Sequence, residues 1–310
     1  MHDPHPGVIN VTQYTKTYIK TLRKTLDAHG HRDVSIVGSD RGWEPIASDF
    51  LSDPEVRAAI GALTQHYPHC DAVPGVPGAG EGSQCGRSIH NALKAHNMYG
   101  VEVWSSEDYS CWTDANGAGV WASEINSQYI GGNVSMISAW HLVSAFYPTV
   151  SFWNEGMISA TQPWSGNYVL SPTIWASAHT TQFTRPGMHY LLQGRGAGPL
   201  HGGGTYVTFH DSEHLTIVIE TASAAVGSFC DANCNGRCQL APATGMQQAI
   251  FELQNLKIKM PKQLGLWRTK LGGNISEATS FQALAPVIVS STGRPTTSCT
   301  ILCIDCCGLS

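Results

Sequence analysis

A chain of 310 residues with 42% apolar and 13% charged side chains is long enough to bury a sizeable core, as one large domain or two moderate ones. Its net charge of -5, with no basic run or arginine stripe, leaves no footprint for nucleic acid. No stretch approaches the roughly 18 uninterrupted apolar residues that cross a bilayer, so no transmembrane segment is expected.

Ten cysteines, with the sequons Asn10-Val11-Thr12, Asn133-Val134-Ser135 and Asn274-Ile275-Ser276, point to a secretory or lysosomal route. The N-terminal Met1-His2-Asp3-Pro4-His5-Pro6-Gly7 carries no apolar signal-peptide core. The two observations agree if the true start lies upstream of Met1, and that is the expectation. Nine Trp and ten Tyr could supply flat carbohydrate platforms, although most aromatics are core.

In chain order, 14–28 reads as a helix, with Tyr14, Tyr18, Leu22 and Leu26 at helical spacing and Gly30 as its stop. Residues 34–38 form a short apolar strand. Ser52-Asp53-Pro54-Glu55 opens a helix that carries Val56, Ile60 and Leu63 on one face. A strand-like approach to Gln65-His66 follows, and then a Gly/Pro-rich loop over 73–82. Cys70 and Cys85, on either side of it, are disulfide candidates. A helical stretch over 88–96 leads to 101–106, a short strand, apolar at Val101, Val103 and Trp104, that runs into a polar turn carrying Glu107 and Asp108. On residues alone those two are either solvated turn acids or a helix N-terminal acid pair, while Glu107 sits at a strand end, where α/β enzymes keep their chemistry.

Residues 117–129 and 135–147 read as helices and 157–160 as another strand, with 174–186 closing the region. Strand, loop and helix repeat about four times, the pattern of a parallel sheet wrapped by helices and half of a closed (β/α)₈ barrel. Beyond Pro186-Gly187 the texture changes. Residues 205–209 and 215–221, around a polar turn at His210-Asp211-Ser212, read as a β-hairpin, with further strands over 249–253 and 264–271. The fold class is therefore α/β plus β: the C-terminal half of a TIM barrel, then an antiparallel β-sandwich. Cys299, Cys303, Cys306 and Cys307 have no ordered CxxC…CxxC pairing and no nearby His, so no metal is expected and the tail reads as non-native sequence. Cys230, Cys234 and Cys238 are disulfide candidates.

Retaining glycoside hydrolysis needs two carboxyl groups about 5 Å apart, a nucleophile and a general acid/base, and Glu107 is a candidate for one of them. The segments Trp104-Ser105-Ser106-Glu107-Asp108-Tyr109-Ser110, Ala139-Trp140-His141-Leu142-Val143, Gln162-Pro163-Trp164-Ser165-Gly166 and Ser177-Ala178-His179-Thr180-Thr181-Gln182-Phe183-Thr184 closely resemble the galactosylceramidase family of glycoside hydrolases. So do Gly117-Ala118-Gly119, Tyr18-Ile19-Lys20-Thr21-Leu22-Arg23-Lys24 and Trp267-Arg268-Thr269-Lys270-Leu271-Gly272. The resemblance runs over nearly the whole chain, to about residue 285.

It implies a lysosomal, cofactor-free retaining β-galactosidase acting on galactosylceramide or a related β-galactolipid, with a lipid-presenting activator protein as a candidate partner. It also implies a barrel at 1–186, covering about strands 4–8, and a sandwich at 187–310; the family's lectin-like domain is not expected in this chain. Glu107 falls on the nucleophile, and Ser110 and Trp140 on residues that line the substrate pocket. Arg237 falls on an arginine that reaches the pocket from the sandwich, with local spacing that differs by a residue. In the family an Asn-Glu pair ends the fourth barrel strand and its Glu is the acid/base. Here Gly7-Val8-Ile9-Asn10-Val11 keeps Asn10, a pocket residue, and places Val11 at the acid/base.

Phe152 and Val120 stand where the family has a pocket tyrosine and a disulfide cysteine. Trp153-Asn154-Glu155 imitates the acid motif, but its order in the chain is wrong for that role. Valine cannot protonate a leaving group, so the alternative expectation is a catalytically dead, galactolipid-binding or truncated form. Its half barrel would leave open sheet edges that favour aggregation.

Overall fold

The computed structural model describes residues 11–38, 52–66, 96–108, 115–145, 156–201, 203–221, 248–253, 263–270, 281–288 and 297–302. Helix α1 (Val11–Ala28) is followed by strand β1 (Ile36–Gly38), helix α2 (Pro54–Ala59), strands β2 (Ile60–His66) and β3 (Glu102–Asp108), helix α3 (Ala115–Gly132) and strand β4 (Met136–Ala139). The expected stop of α1 is found. Gly30 takes a left-handed φ of 82° while its N–H bonds to Asp27 O at 3.2 Å and that of His31 to Leu26 O at 2.8 Å, a Schellman closure. Arg23 secures the exit by donating to Val34 O and His31 O at 2.6 and 2.7 Å.

Helix α2 begins as its sequence requires, with Asp53 Oδ1 accepting the N–H groups of Glu55 and Val56 at 3.1 and 3.3 Å. Lys20 of α1 reaches the same carboxylate at 2.7 Å and holds it below its ordinary carboxylate range. The expectation that Ile60 and Leu63 extend this helical face is corrected: α2 ends at Ala59 and both residues lie in β2. Gly61 is a weak helix residue, and β2 pairs in parallel with β1 on one side and β3 on the other. Val56 and Ala59 nevertheless bury against Ile19 of α1 and Ile60, so the short helix is held by packing.

Strands β1-β2-β3-β4 form a four-stranded sheet in that order, every pair parallel. Leu63, Val103 and Val134 are buried beneath Tyr99, Val101 and Ile137, so neighbouring strands and the entry to β4 share one apolar cluster. Glu102, Trp104 and Ser135 close a polar triangle near the N-terminal ends of β3 and β4, with Trp104 Nε1 donating to Glu102 Oε2 at 2.9 Å and Ser135 Oγ donating to it at 3.1 Å.

The chain divides into two compact units: α1, α2 and β1–β4 in one, and α3 through Ile130 with everything from His141 onward in the other. The second unit continues with β5 (Val143–Ala145), β6 (Ile158–Gln162), β7 (Asn167–Leu170) and helix α4 (Pro172–Thr181). Strands β5 and β6 are parallel, and β7 is antiparallel to β6. The helix expected over 135–147 is therefore overturned, since these residues contribute β4 and β5. A short apolar run such as Met136-Ile137-Ser138-Ala139 has no periodicity that separates a buried helix from a parallel strand. The partners available in β3 and β6 decide it.

From β8 (His189–Tyr190) through β9 (Ala197–Pro199), β10 (Thr205–His210) and β11 (Leu215–Glu220) to β12 (Gln248–Leu253), β13 (Gln263–Arg268), β14 (Gln282–Ile288) and β15 (Thr297–Leu302), every paired strand is antiparallel. The expected hairpin is β10–β11, in unbroken register from Thr205↔Glu220 to His210↔Leu215. Its turn is fixed by Asp211, which accepts the N–H groups of Glu213 and His214, both at 2.7 Å, and the side chain of Arg185 at 2.7 Å. Gly204 precedes β10 at φ 89°, and a Cβ there would run into the backbone of Glu220 and Thr221. Part of the tail expected to be atypical, 299–302, lies in β15 paired with β12. Cys303, Cys306, Cys307, Cys230, Cys234, Cys238, Cys70 and Cys85 lie outside the described residues.

Helix α3 is buried along most of its length. Ile130 joins Ala197, Val207, Phe209 and Val218 in the core of the antiparallel strands. Tyr129 packs edge-on against Phe209 and Tyr190 at 5.0 and 4.9 Å, and burial pushes its phenol up to about 12.

Helix α4 is held to the β13–β14 hairpin through His179. Its Nε2 lies 2.8 Å from Thr269 Oγ1, which also accepts the N–H of Phe281 at 3.1 Å. The threonine proton is then available to a neutral imidazole. Trp175, Phe183 and Trp267 stack around Phe281, and burial pushes the His179 imidazole down to about 4. In the unfolded chain it titrates near the ordinary histidine value of 6.5, so between these values the unfolded state binds more protons. Stability is therefore full above the upper value and is lost as pH falls toward the lower one, by about 3 kcal/mol as an upper figure. Urea unfolding at pH 7 and at pH 4.5 is expected to show this loss in the parent, and a clearly flatter dependence in His179→Gln. An equally steep loss in the variant would assign the effect to other groups.

Candidate active site

The C-terminal end of β3 departs from a regular strand at the position of chemical interest. Against β2, Gln65 pairs with Ser105 and the next residue, His66, pairs with Glu107. Against β4, Ile137 pairs with Ser105 and Ala139 with Asp108. Relative to both neighbours, β3 thus carries one extra residue at Ser106, a bulge of the kind that re-aims side chains at sheet rims and active sites. The bulge shifts the side-chain alternation. Val103 and Ser105 point to one face of β3, and Asp108 rejoins that face, with Ser105 Oγ donating to Asp108 Oδ2 at 3.3 Å. Glu107 is carried to the side opposite Asp108.

The two adjacent carboxylates therefore occupy different environments: Asp108 is 0% exposed, while Glu107 is half-buried. The expectation of a polar turn bearing both is corrected, because Glu107 and Asp108 are the last residues of the strand. The reading of Asp108 as a solvated turn acid falls with it.

Trp140 follows β4 directly, half-buried, and its N–H donates to the carbonyl of Asp108 at 2.6 Å. A parallel sheet gathers the C-terminal ends of its strands on one rim, so the ends of β3 and β4 bring Glu107 and Trp140 to the same edge. Of the other expected site residues, Asn10, Ser110 and Arg237 lie outside the described residues, as do Phe152 and Trp153-Asn154-Glu155. Val11 is the first residue of α1. Sequence reasoning passed over Ser105 and Asp108 as contributors; a small hydroxyl residue and an acid spaced three apart across a strand end were the available signal. Among the described residues no group of three or more His, Cys, Asp or Glu could hold a metal ion, and no helix is long and apolar enough to cross a membrane.

Comparison with known proteins places this geometry in context. Residues 5–182 match the model of glycosyl hydrolase family 59, and residues 191–299 match that of the family 59 central domain. The chain is 38% identical over 271 residues to a galactocerebrosidase of Mus musculus, covering 86% of this chain and 35% of that protein. It is 35% identical over 283 residues to a galactocerebrosidase of Homo sapiens, covering 90% of this chain and 36% of that protein. A putative galactocerebrosidase of Caenorhabditis elegans is 28% identical over 217 residues, 70% of this chain and 30% of that protein. The chain thus spans about a third of the length of these relatives.

Among solved structures, a GH30 endoxylanase from Clostridium papyrosolvens superposes with a TM-score of 0.58 at 14% identity, covering 94% of this chain and 58% of that one. A family 30 xylanase from Clostridium acetobutylicum gives a TM-score of 0.59 at 12% identity over the same shares of the two chains, 94% and 58%. What is shared with these TIM-barrel-type glycosidases is the fold.

Proposed function

The chain belongs to glycosyl hydrolase family 59, and we propose that it supplies the nucleophile strand of a retaining β-galactosidase acting on galactosylceramide or a related β-galactolipid. The observation that carries the reading is Glu107, half-buried at the C-terminal end of a parallel strand, inside one of the segments that resemble galactosylceramidases. Its carboxylate would attack the anomeric carbon of a β-galactoside as the aglycone oxygen leaves, and water would then release the sugar with retention. Trp140 offers an aromatic face to the sugar ring, with Asn10, Ser110 and Arg237 as further pocket residues. Two carboxyl groups and water suffice for this chemistry, so no cofactor is assigned. A lipid substrate makes a lipid-presenting activator protein a fitting partner, and a lysosomal setting follows from the resemblance.

The division into a partial barrel at 1–186 and a sandwich at 187–310 belongs to the same proposal. It is supported by the two family models, which end at 182 and resume at 191.

A second reading is favoured by one residue. Val11 stands where the family's acid/base carboxylate is expected, and general acid/base catalysis is worth about 10²–10⁴-fold. On that reading the chain holds galactolipid without turning it over. One pair of assays on the expressed chain distinguishes the two: hydrolysis of a fluorogenic β-galactoside at acidic pH, and binding of galactosylceramide in mixed micelles. Turnover supports the first reading, and binding without turnover selects the second. A chain that neither binds nor hydrolyses would overturn both.

A further inference from the structure

We propose that Asp108 is a positioning residue for Glu107, holding closed the bulge of β3 that aims it; the inference rests on the reading of Glu107 as nucleophile. Three observations converge on this one residue. Asp108 is 0% exposed, as is Ser105, its partner three residues earlier. The Ser105 Oγ to Asp108 Oδ2 hydrogen bond of 3.3 Å spans Ser106 and Glu107, the residues over which β3 loses register with β2 and β4. The carbonyl of Asp108 also accepts the N–H of Trp140 at 2.6 Å, so the residue that closes the bulge fixes the start of the segment carrying the proposed sugar platform.

A bulge has one more residue than its partner strands can pair, and without a tie across it the extra residue can migrate along the strand. Migration by one position would move Glu107 to the other face. Even a displacement of about 1 Å at a reacting group costs on the order of 10²-fold in rate. Asp108 touches neither substrate nor reacting atoms in this scheme, and its carboxylate acts through Glu107.

The test uses the full chain and 2-deoxy-2-fluoro-β-galactosyl fluoride. Its fluoride departs as a Glu107 carboxylate oxygen bonds to the anomeric carbon, with no protonation of the leaving group needed. The labelling rate, followed by intact mass and located by peptide mapping, therefore reads the aim of the nucleophile. Asp108→Ala is expected to slow labelling per folded molecule about tenfold or more, and Ser105→Ala by a smaller factor in the same direction. Asp108→Asn, which can still accept the serine proton, is expected to keep most of the rate.

If Asp108→Ala does not fold, Ser105→Ala against Asp108→Asn still decides. Parent-like labelling in both alanine variants, with only the melting temperature lowered, would reduce Asp108 to a structural role and overturn the proposal while leaving Glu107 as nucleophile. Label that persists in Glu107→Gln, or an unlabelled parent chain, would instead overturn the nucleophile reading and the positioning role with it.

Discussion

Glu107→Gln should abolish covalent capture of activated β-galactosides and lower any galactosidase turnover of the chain on the order of 10³-fold or more, the scale of loss when a covalent nucleophile is removed. The amide has almost the volume of the carboxylate but offers no oxygen able to form the glycosyl ester. Glu107 is half-buried at a strand end, so the isosteric change should leave the melting transition within about 0.5 kcal/mol of the parent. The measurement is a single-turnover burst of dinitrophenol from 2,4-dinitrophenyl β-galactoside, read beside a thermal melt. A burst of parental size in Glu107→Gln would place the nucleophile elsewhere. A burst lost together with the melt would make Glu107 structural.

Asp108→Asn sharpens this contrast. Where Glu107 and Asp108 are read only as neighbouring acids in a turn, the two amide variants should behave alike. Placed on opposite sides of a bulged strand, they should differ by orders of magnitude in labelling while both remain folded.

The legible parts of the sequence were those with a local physical signature. Asp53-Pro54-Glu55 caps a helix, Gly30 ends one, and the alternation on either side of His210-Asp211-Ser212 yields a hairpin in unbroken register. Illegible parts were decided by pairing across distance. Residues 136–139 and 143–145 are strands because β3 and β6 lie beside them, and nothing in an apolar run announces a parallel neighbour. Ile60 and Leu63 left their expected helix for the same reason.

At the site, the proposed role of Glu107 rests on the motif around it, but the environment that separates it from Asp108 was not legible there. A bulge exists only relative to the strands on either side. The polar residues on α3 make the same point: Asn126 donates to Thr205 Oγ1 at 3.1 Å, and that hydroxyl donates in turn to Glu220 Oε1 at 2.6 Å. This buried chain links residues far apart in sequence, and no spacing rule connects them.

Val11→Glu should raise turnover of β-galactosides with poor leaving groups by about 10²–10⁴-fold, the usual worth of a general acid/base. The parent chain is expected to release dinitrophenol from the activated substrate, since that leaving group departs unprotonated. It should then stall as the glycosyl-enzyme, with nothing to deprotonate water. Azide needs no base and should accelerate the parent, giving β-galactosyl azide; the same addition should do little for Val11→Glu, which activates water itself.

The new carboxylate would open helix α1, where the helix dipole favours a negative charge by about 0.3–1 kcal/mol. The substitution should therefore not cost stability, and the same field should draw the carboxyl's titration downward. A general acid must stay protonated to serve its leaving group, so the alkaline fall of the restored activity should come early, confining it to acidic pH. If the parent already turned over unactivated galactosides without azide, as fast as Val11→Glu does, an acid/base elsewhere in the chain would have to be sought. The match of Val11 to that position would then be wrong.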